Sequence, residues 1–359
     1  MTEGENPDAN RSPNVPPDVL EVVAKLMRPE YLGEGGLLVG RPQISAIFKG
    51  RRFVAVGSRI YHDLPPEVTF HEFIVMFLKD ILGREWGLAE RSKPLEDRHP
   101  ILQWLSALAE RQKAPPTAIH GAVREVEHTG STLALLALAY DVYSIYHCAE
   151  LPESLIKRLK QPAQFQGAKY EIAVAGLFAR AGFTISWIDD SSRKRPEFLA
   201  THKTTGERLL VEAKSRHRPG VLTRPGPVDV GEMKADLGRL LKAALEKETD
   251  GLAYAIYLDA NLPMTERDDP RTRAWVKDVE KMLDAFQEGT PTRPDPFTAI
   301  TVTNFSWHYV GNTPEPGKSE SLLILPRYPE APLKDPRTIE LIFEAANQYG
   351  AVPPEFPKD

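Results

Sequence analysis

Apolar positions along this chain follow a helical period in its first half and a mixture of helical and strand periods in its second. Leu20, Val23, Ala24 and Met27 share one helical face and predict a helix over 19–27. Ile44-Ser-Ala-Ile-Phe48 and Phe53-Val-Ala-Val56, separated by Lys49-Gly50, predict a small hairpin. Thr69-Phe-His-Glu72 has the capping-box spacing and precedes an amphipathic run, Phe73 to Leu82. Further helices are predicted at 100–112, 117–127 and 131–149. From Glu153 the rhythm changes. A short basic helix at 155–159 and a longer one at 163–181, apolar on nearly every side, lead into strands at 183–188, 196–202 and 208–214. A helix over 230–247, a buried strand at 252–258, a helix at 273–287, strands at 298–305 and 322–325, and a helix at 338–349 complete the pattern. Helix, three strands, helix, strand is an α/β order. It gives four parts: a flexible tail (1–16), a mainly helical N-terminal domain with a small β-hairpin (17–150), an α/β domain (151–310), and a C-terminal strand and helix packed on that domain (311–359).

Composition narrows the class. With 42% apolar and 26% charged residues over 359 positions, the chain is globular and long enough to bury a core without staples. Its single cysteine, Cys148, excludes an internal disulfide framework and a Cys-based zinc cluster. The N-terminal stretch carries Glu3, Glu5 and Asp8, the opposite of a signal peptide, and the most apolar run, Leu133 to Ala139, is far shorter than the roughly 20 residues a membrane span needs. A cytoplasmic location without a membrane partner is the expectation. A net charge of −5 argues against an overall basic coat, yet nine basic residues stand against three acidic ones between Ser191 and Arg224. Such a local cluster suits a polyanion, because phosphate contacts dominate nucleic-acid affinity.

The chemistry concentrates in the same stretch. Side chains alternate along a strand, so Glu212 and Lys214 share one face and Ala213 points the other way. Two charges at the end of the apolar Leu209-Leu-Val211 are costly unless they pair or bind something. Glu197 can join them through a hairpin. A two-residue loop at Thr205-Gly206, or a four-residue loop from Thr204 to Glu207, sets Glu197 opposite Lys214 with Glu212 diagonal on the same face. A three-residue loop with a glycine bulge sends Glu197 to the other side. Carboxylates beside a lysine suit phosphodiester hydrolysis, since Mg²⁺ prefers carboxylate oxygens and a lysine can orient water or stabilise charge developing on phosphate.

These residues resemble the PD-(D/E)xK nuclease superfamily: Glu171 in the preceding helix, Pro196-Glu197 in place of Pro-Asp, and Glu212-Ala213-Lys214 as the E-x-K. The resemblance covers about residues 160–310. It implies a restriction-endonuclease-like core, a central mixed sheet flanked by helices. It also implies that Glu197 and Glu212 bind Mg²⁺ or Mn²⁺, that Lys214 activates water, and that Glu171 serves a second metal. The expected function is metal-dependent cleavage of nucleic acid, with DNA the expected substrate and Arg193, Lys194, Arg195, Arg216 and Arg218 on its phosphates. A homodimer is compatible with this. Glu197 stands where the family usually has Asp, so a catalytically inactive nucleic-acid-binding module of the same fold stays open. So does a structural or interaction protein in which Glu212 and Lys214 form an ion pair.

Other candidates are weaker. His62, His71, His99, His120, His128, His147 and His308 show no metal-ligand spacing. Asp189-Asp190 follows a strand and is the reserve carboxylate should Glu197 face away. Asp259, Asn261 and Asn304 fall at strand ends, where α/β proteins often place ligands but where turns also need such residues. Neither a dinucleotide nor a nucleoside-triphosphate loop motif is present.

Overall fold

The computed structural model describes residues 15–26, 44–113, 118–120, 123–189, 194–224, 226–227, 234–264, 273–286, 289–313 and 319–356. In chain order these form α1 (Pro17–Leu26), β1 (Ile44–Phe48), β2 (Arg51–Val56), β3 (Arg59–Leu64), α2 (Phe70–Leu82), α3 (Arg84–Arg91), α4 (Pro100–Arg111), β4 (Ala118–His120), β5 (Val123–Glu125) and α5 (Gly130–Tyr146). The second half supplies α6 (Glu153–Leu159), α7 (Pro162–Arg180), β6 (Phe183–Trp187), β7 (Phe198–His202), β8 (Arg208–Ser215), α8 (Gly238–Leu245), β9 (Ala253–Asp259), α9 (Ala274–Asp284), β10 (Ala299–Phe305), α10 (Trp307–Val310), β11 (Ser319–Ile324) and α11 (Arg337–Asn347). No described helix is long and apolar enough to cross a membrane.

The second half is built on a six-stranded mixed sheet in the order β11-β10-β9-β8-β7-β6. Strands β8, β9 and β10 run parallel, and β6, β7 and β11 join by antiparallel pairing. The parallel connections pass through α8 and α9, the usual way such crossovers bury a sheet face. Strand alternation divides the core accordingly. Leu209, Val211 and Ala213 enter a cluster with α7, whereas Leu210 packs with Leu241 of α8 and Trp275 of α9. The first half adds a separate sheet, β1-β2-β3, and a short β4-β5 hairpin. Its helices from α2 onward share the α7 cluster, which runs from Val54 to Tyr349, whereas α1 packs with β1 and β2 in a cluster of its own.

Two local readings change. The predicted helix at 117–127 is the β4-β5 hairpin, whose ladder pairs Ile119 with Arg124. A segment that short gains little from helical propagation, and β-branched Ile119 and Val123 favour the extended form. The predicted helix at 230–247 is described only as Gly238–Leu245. Asp236 just before it holds φ 49°, and 228–233 lie outside the described residues. By contrast, Thr69 Oγ1 accepts from the Glu72 amide at 3.2 Å and Glu72 Oε2 accepts from the Thr69 amide at 2.9 Å, which completes the capping box. A third strand, β3, and helix α3 extend the predicted first half.

Glycine permits the central helix contact. A Cβ on Gly176 of α7 would lie 2.7 Å from Asp141 Oδ1 and 2.9 Å from the Asp141 Cα in α5. Gly176→Ala should therefore destabilise the protein by roughly 1–3 kcal/mol through overpacking, despite alanine's better helix propensity. Urea midpoints measure this; an unchanged or raised midpoint would show that the two helices can part without cost. The C-terminal segment is fixed differently. Glu207, in the charged stretch, turns its carboxylate inward and accepts from the Lys334 and Asp335 amides at 2.7 and 3.0 Å and from Thr338 Oγ1 at 3.2 Å. A carboxylate at a helix start satisfies donors that the helix cannot.

Candidate active site

The β7–β8 ladder positions the central groups. It pairs Phe198 with Val211 and Thr201 with Arg208, and the His202 amide donates to the Glu207 carbonyl at 2.8 Å. The connection is therefore Lys203 to Gly206, a four-residue loop one position earlier than expected. That slides the register by two residues. The ladder ends at Phe198 and Val211, and just before it the Glu197 amide donates to the Val211 carbonyl at 3.0 Å, so Glu197 meets β8 at Val211 and Glu212 rather than opposite Lys214 as expected. Alternation along β8 puts Glu212 and Lys214 on the α8 side of the sheet, away from Val211 and Ala213, and Glu197 lies within electrostatic reach of Glu212.

Like charges held close together are destabilising unless something neutralises them. Here Glu212 is fully buried and both its oxygens lack a hydrogen bond of proper geometry. Its compensation is ionic: Lys214 Nζ lies against Oε1, and Lys247 Nζ is 3.3 Å from the same atom. Burial pushes the Glu212 carboxyl above its usual range, the ammonium of Lys214 draws it back, and Glu197 raises it again. Lys247, just past the end of α8, also donates to the Arg195 carbonyl at 2.9 Å. It thereby ties the segment before β7 to the carboxylate. Lys194 and Arg195 flank this strap and reach Glu248 at 4.0 Å and Asp250 at 2.7 Å.

Glu171 approaches from α7. Arg158 of α6 grips it with both terminal nitrogens, at 2.7 and 2.5 Å. Burial lifts the Glu171 carboxyl to about 7, opposed by Arg158 and reinforced by the Glu197 charge. Three carboxylates thus stand within electrostatic reach of one another, matched by Arg158, Lys214 and Lys247.

The other residues singled out in the sequence divide. Arg218 is buried, with its guanidinium donating to the carbonyls of Lys234 and Ala260. Arg216 donates to the carbonyls of Lys234 and Ala235 and pairs with Asp236 at 3.4 Å. Both guanidiniums are thus engaged with backbone, while Lys194 and Arg195 are exposed. Arg193 and Asp190 lie outside the described residues, and Asp189 is exposed. Asp259, Asn261 and Asn304 are buried and held by hydrogen bonds: Asp259 from Ser215, Asn261 to Gln166, and Asn304 to Glu320. Sequence reasoning missed Arg158 and Lys247. Neither lies at a spacing that marks it, since each meets its carboxylate only through the packing of a different helix.

Among the described residues no three His, Cys, Asp or Glu side chains converge tightly enough to hold a metal by themselves. The donor set nonetheless fits Mg²⁺ or Mn²⁺, which take one or two carboxylates and complete their shell with water. Glu212 offers a buried Oε2 without a partner among the described residues, and Glu197 is near enough to raise its pKa. Searches against protein-family models, curated proteins and solved structures each find no match.

Proposed function

We propose that this protein hydrolyses phosphodiester bonds of nucleic acid, DNA in the first instance, with Mg²⁺ or Mn²⁺ held by Glu197 and Glu212. The observation that carries the reading is the Glu212 carboxylate: wholly buried, with Lys214 and Lys247 both on Oε1 and, among the described residues, no partner for Oε2. A purely structural ion pair would be expected to satisfy both oxygens, because an unsatisfied buried acceptor is costly, and here Oε2 is left over. A restriction-endonuclease-like core over 151–310 is part of the same proposal. The order helix α7, antiparallel β6-β7-β8, helix α8, parallel β9 supports it.

When bound, the cation would polarise the scissile phosphate and lower the pKa of water. The chain's own part is then specific. Lys214, partly exposed beside Glu212, orients the attacking water and stabilises charge building on the phosphate. Lys247, with Lys214, opposes the upward push of burial on the Glu212 carboxyl and fixes its direction. Arg158 keeps Glu171 in place, so Glu171 serves a second ion only if Arg158 releases it.

A second reading also has an observation in its favour. The three carboxylates are already balanced by three cations, which suits a nucleic-acid-binding module of this fold without catalysis. Incubating the purified protein with single- and double-stranded DNA and RNA, with Mg²⁺, Mn²⁺ or EDTA, separates the two. The nuclease reading expects metal-dependent cleavage and calorimetric Mn²⁺ binding. Nucleic-acid binding without either would favour the inactive module.

A further inference from the structure

Beside the carboxylates lies a second, cationic group of residues carried on the segment after β8. Gln166 of α7 is buried and pins this segment. Its Oε1 accepts from the Arg218 amide at 3.0 Å, and its Nε2 donates to the carbonyls of Arg218 and Val221 at 3.2 and 2.6 Å. Asn261 donates to the same Oε1 at 3.0 Å and to the Arg216 carbonyl at 2.8 Å. The segment then closes on itself, with the Gly220 amide on the Arg224 carbonyl at 2.8 Å and the Arg224 amide on the Val221 carbonyl at 3.1 Å. His217 and Arg224 are therefore presented from a fixed loop.

Their arrangement has a direction. Arg224 Nη1 lies 3.0 Å from His217 Nδ1, and an arginine can only donate. Nδ1 is thus the acceptor, and the imidazole proton sits on Nε2. Partial desolvation, with the Arg224 and Arg158 charges nearby, lowers this histidine from its ordinary pKa. Its Nε2–H hangs over Gly167 of α7. A Cβ there would lie 3.0 Å from His217 Nε2 and 3.7 Å from Arg158 Nη2, so both groups converge on the space that glycine leaves. Among the described residues, neither His217 Nε2 nor the other guanidinium nitrogens of Arg224 makes a hydrogen bond. The same Arg158 holds Glu171, which in turn feels Glu197 and Glu212.

We infer that Arg224, His217 and Arg158 form a phosphate-binding subsite next to the carboxylates, taking a phosphate of the nucleic-acid strand adjacent to the one cleaved. The chemistry is that of a planar, always-charged guanidinium and an N–H donor meeting phosphate oxygens. This deepens the nuclease reading and rests on it for the identity of the strand. It explains why the loop is braced so heavily: a phosphate site only positions a substrate if its donors are held still.

The test needs no cleavage. Binding of a fluorescent 16-nucleotide single-stranded DNA is measured by anisotropy in EDTA at several salt concentrations, for the wild type, Arg224→Ala, His217→Ala and the double variant. Both residues lie on a surface loop, and thermal melts confirm that each variant folds. The expectation is a loss of about five- to tenfold in affinity for Arg224→Ala. The salt slope should become shallower by about 0.7 for that lost contact, and the loss should be smaller for His217→Ala. Repeating the titration with and without a 5′-phosphate on the oligonucleotide tells an internal phosphate from a terminal one; either source supports the subsite. Unchanged affinity and slope in the double variant, or a wild type that binds no oligonucleotide at low salt, would overturn it. The two proposals fail separately. Cleavage that persists with unaltered binding in the double variant removes the subsite alone. Arg224-dependent binding without metal-dependent cleavage removes the nuclease alone.

Discussion

Glu212→Ala loses divalent-metal binding and cleavage together, whereas Lys214→Ala keeps metal and nucleic-acid binding and loses only turnover. This is the largest functional effect expected, on the order of 10²–10⁴ in rate for the lysine, the range for a positioned catalytic group. The two residues stand two positions apart on β8 and touch, so any general damage to the strand would affect both alike. They differ in what they offer. On the proposed reading Glu212 would hold the ion in ground state and transition state alike. Lys214 would act on charge that develops during the reaction, so its removal should lower kcat while KM is retained. Glu197→Asp, which shortens the facing side chain, should preserve part of the activity. Calorimetry with Mn²⁺ and a cleavage time course, run on all three variants, decide the matter. Full cleavage by both alanine variants would make the constellation structural.

The largest effect on stability is expected away from this site, at the α5–α7 crossing. Asp141 is buried in α5 and bonded to Arg180 at 2.8 Å and to the Tyr349 hydroxyl at 3.0 Å. Burial raises its carboxyl to about 6, and Arg180 opposes the rise. An ordinary aspartate titrates near 3.9, so the native state holds the proton more tightly than the unfolded chain. Asp141 therefore contributes stability below about pH 4, and this is lost as pH rises to about 6, with no further change above. Arg180→Met removes the cation and leaves the ionised carboxylate buried. The variant should lose roughly 3–5 kcal/mol at pH 8, the cost of breaking a buried pair. At pH 4.5, where Asp141 is protonated in the native state, the loss should shrink to about 1 kcal/mol of arginine packing. Urea denaturation at the two pH values measures the difference, and adding Asp141→Asn should restore much of the loss at pH 8. A loss equal at both values would mean that Arg180 acts through packing alone.

Tyr349 links this crossing to the sheet, since its ring stacks on Phe305 at the end of β10 with centroids 3.7 Å apart. The C-terminal helix α11 is thus tied at one end by Tyr349 to Asp141 and at the other by Glu207. Both anchors are polar groups far apart in sequence. Neither is visible as a motif.

What the sequence determines by itself is whatever depends on neighbours a few residues away. The capping box at Thr69 and Glu72 is legible because its two hydrogen bonds close within one helical turn. Glu212 and Lys214 are legible as a pair because strand alternation is local, and the sheet leaves it unchanged. The strands β6 to β11 announce themselves through apolar runs and β-branched residues, within one or two positions at most ends. The helix expected at 117–127 fails because a short segment with either period takes its form from what it packs on. Register belongs to the tertiary structure. The loop between β7 and β8 could close in several ways, and only the completed sheet pairs Thr201 with Arg208 and brings Glu197 to Val211 and Glu212. The same holds for the charges. Arg216 and Arg218 read as phosphate ligands in a basic stretch, yet the fold turns them onto backbone carbonyls. Lys247 and Arg158, unmarked in the sequence, reach the carboxylates instead. A long flexible cation reaches whichever partner the packing leaves near it, and that proximity is decided by helices crossing, not by spacing along the chain.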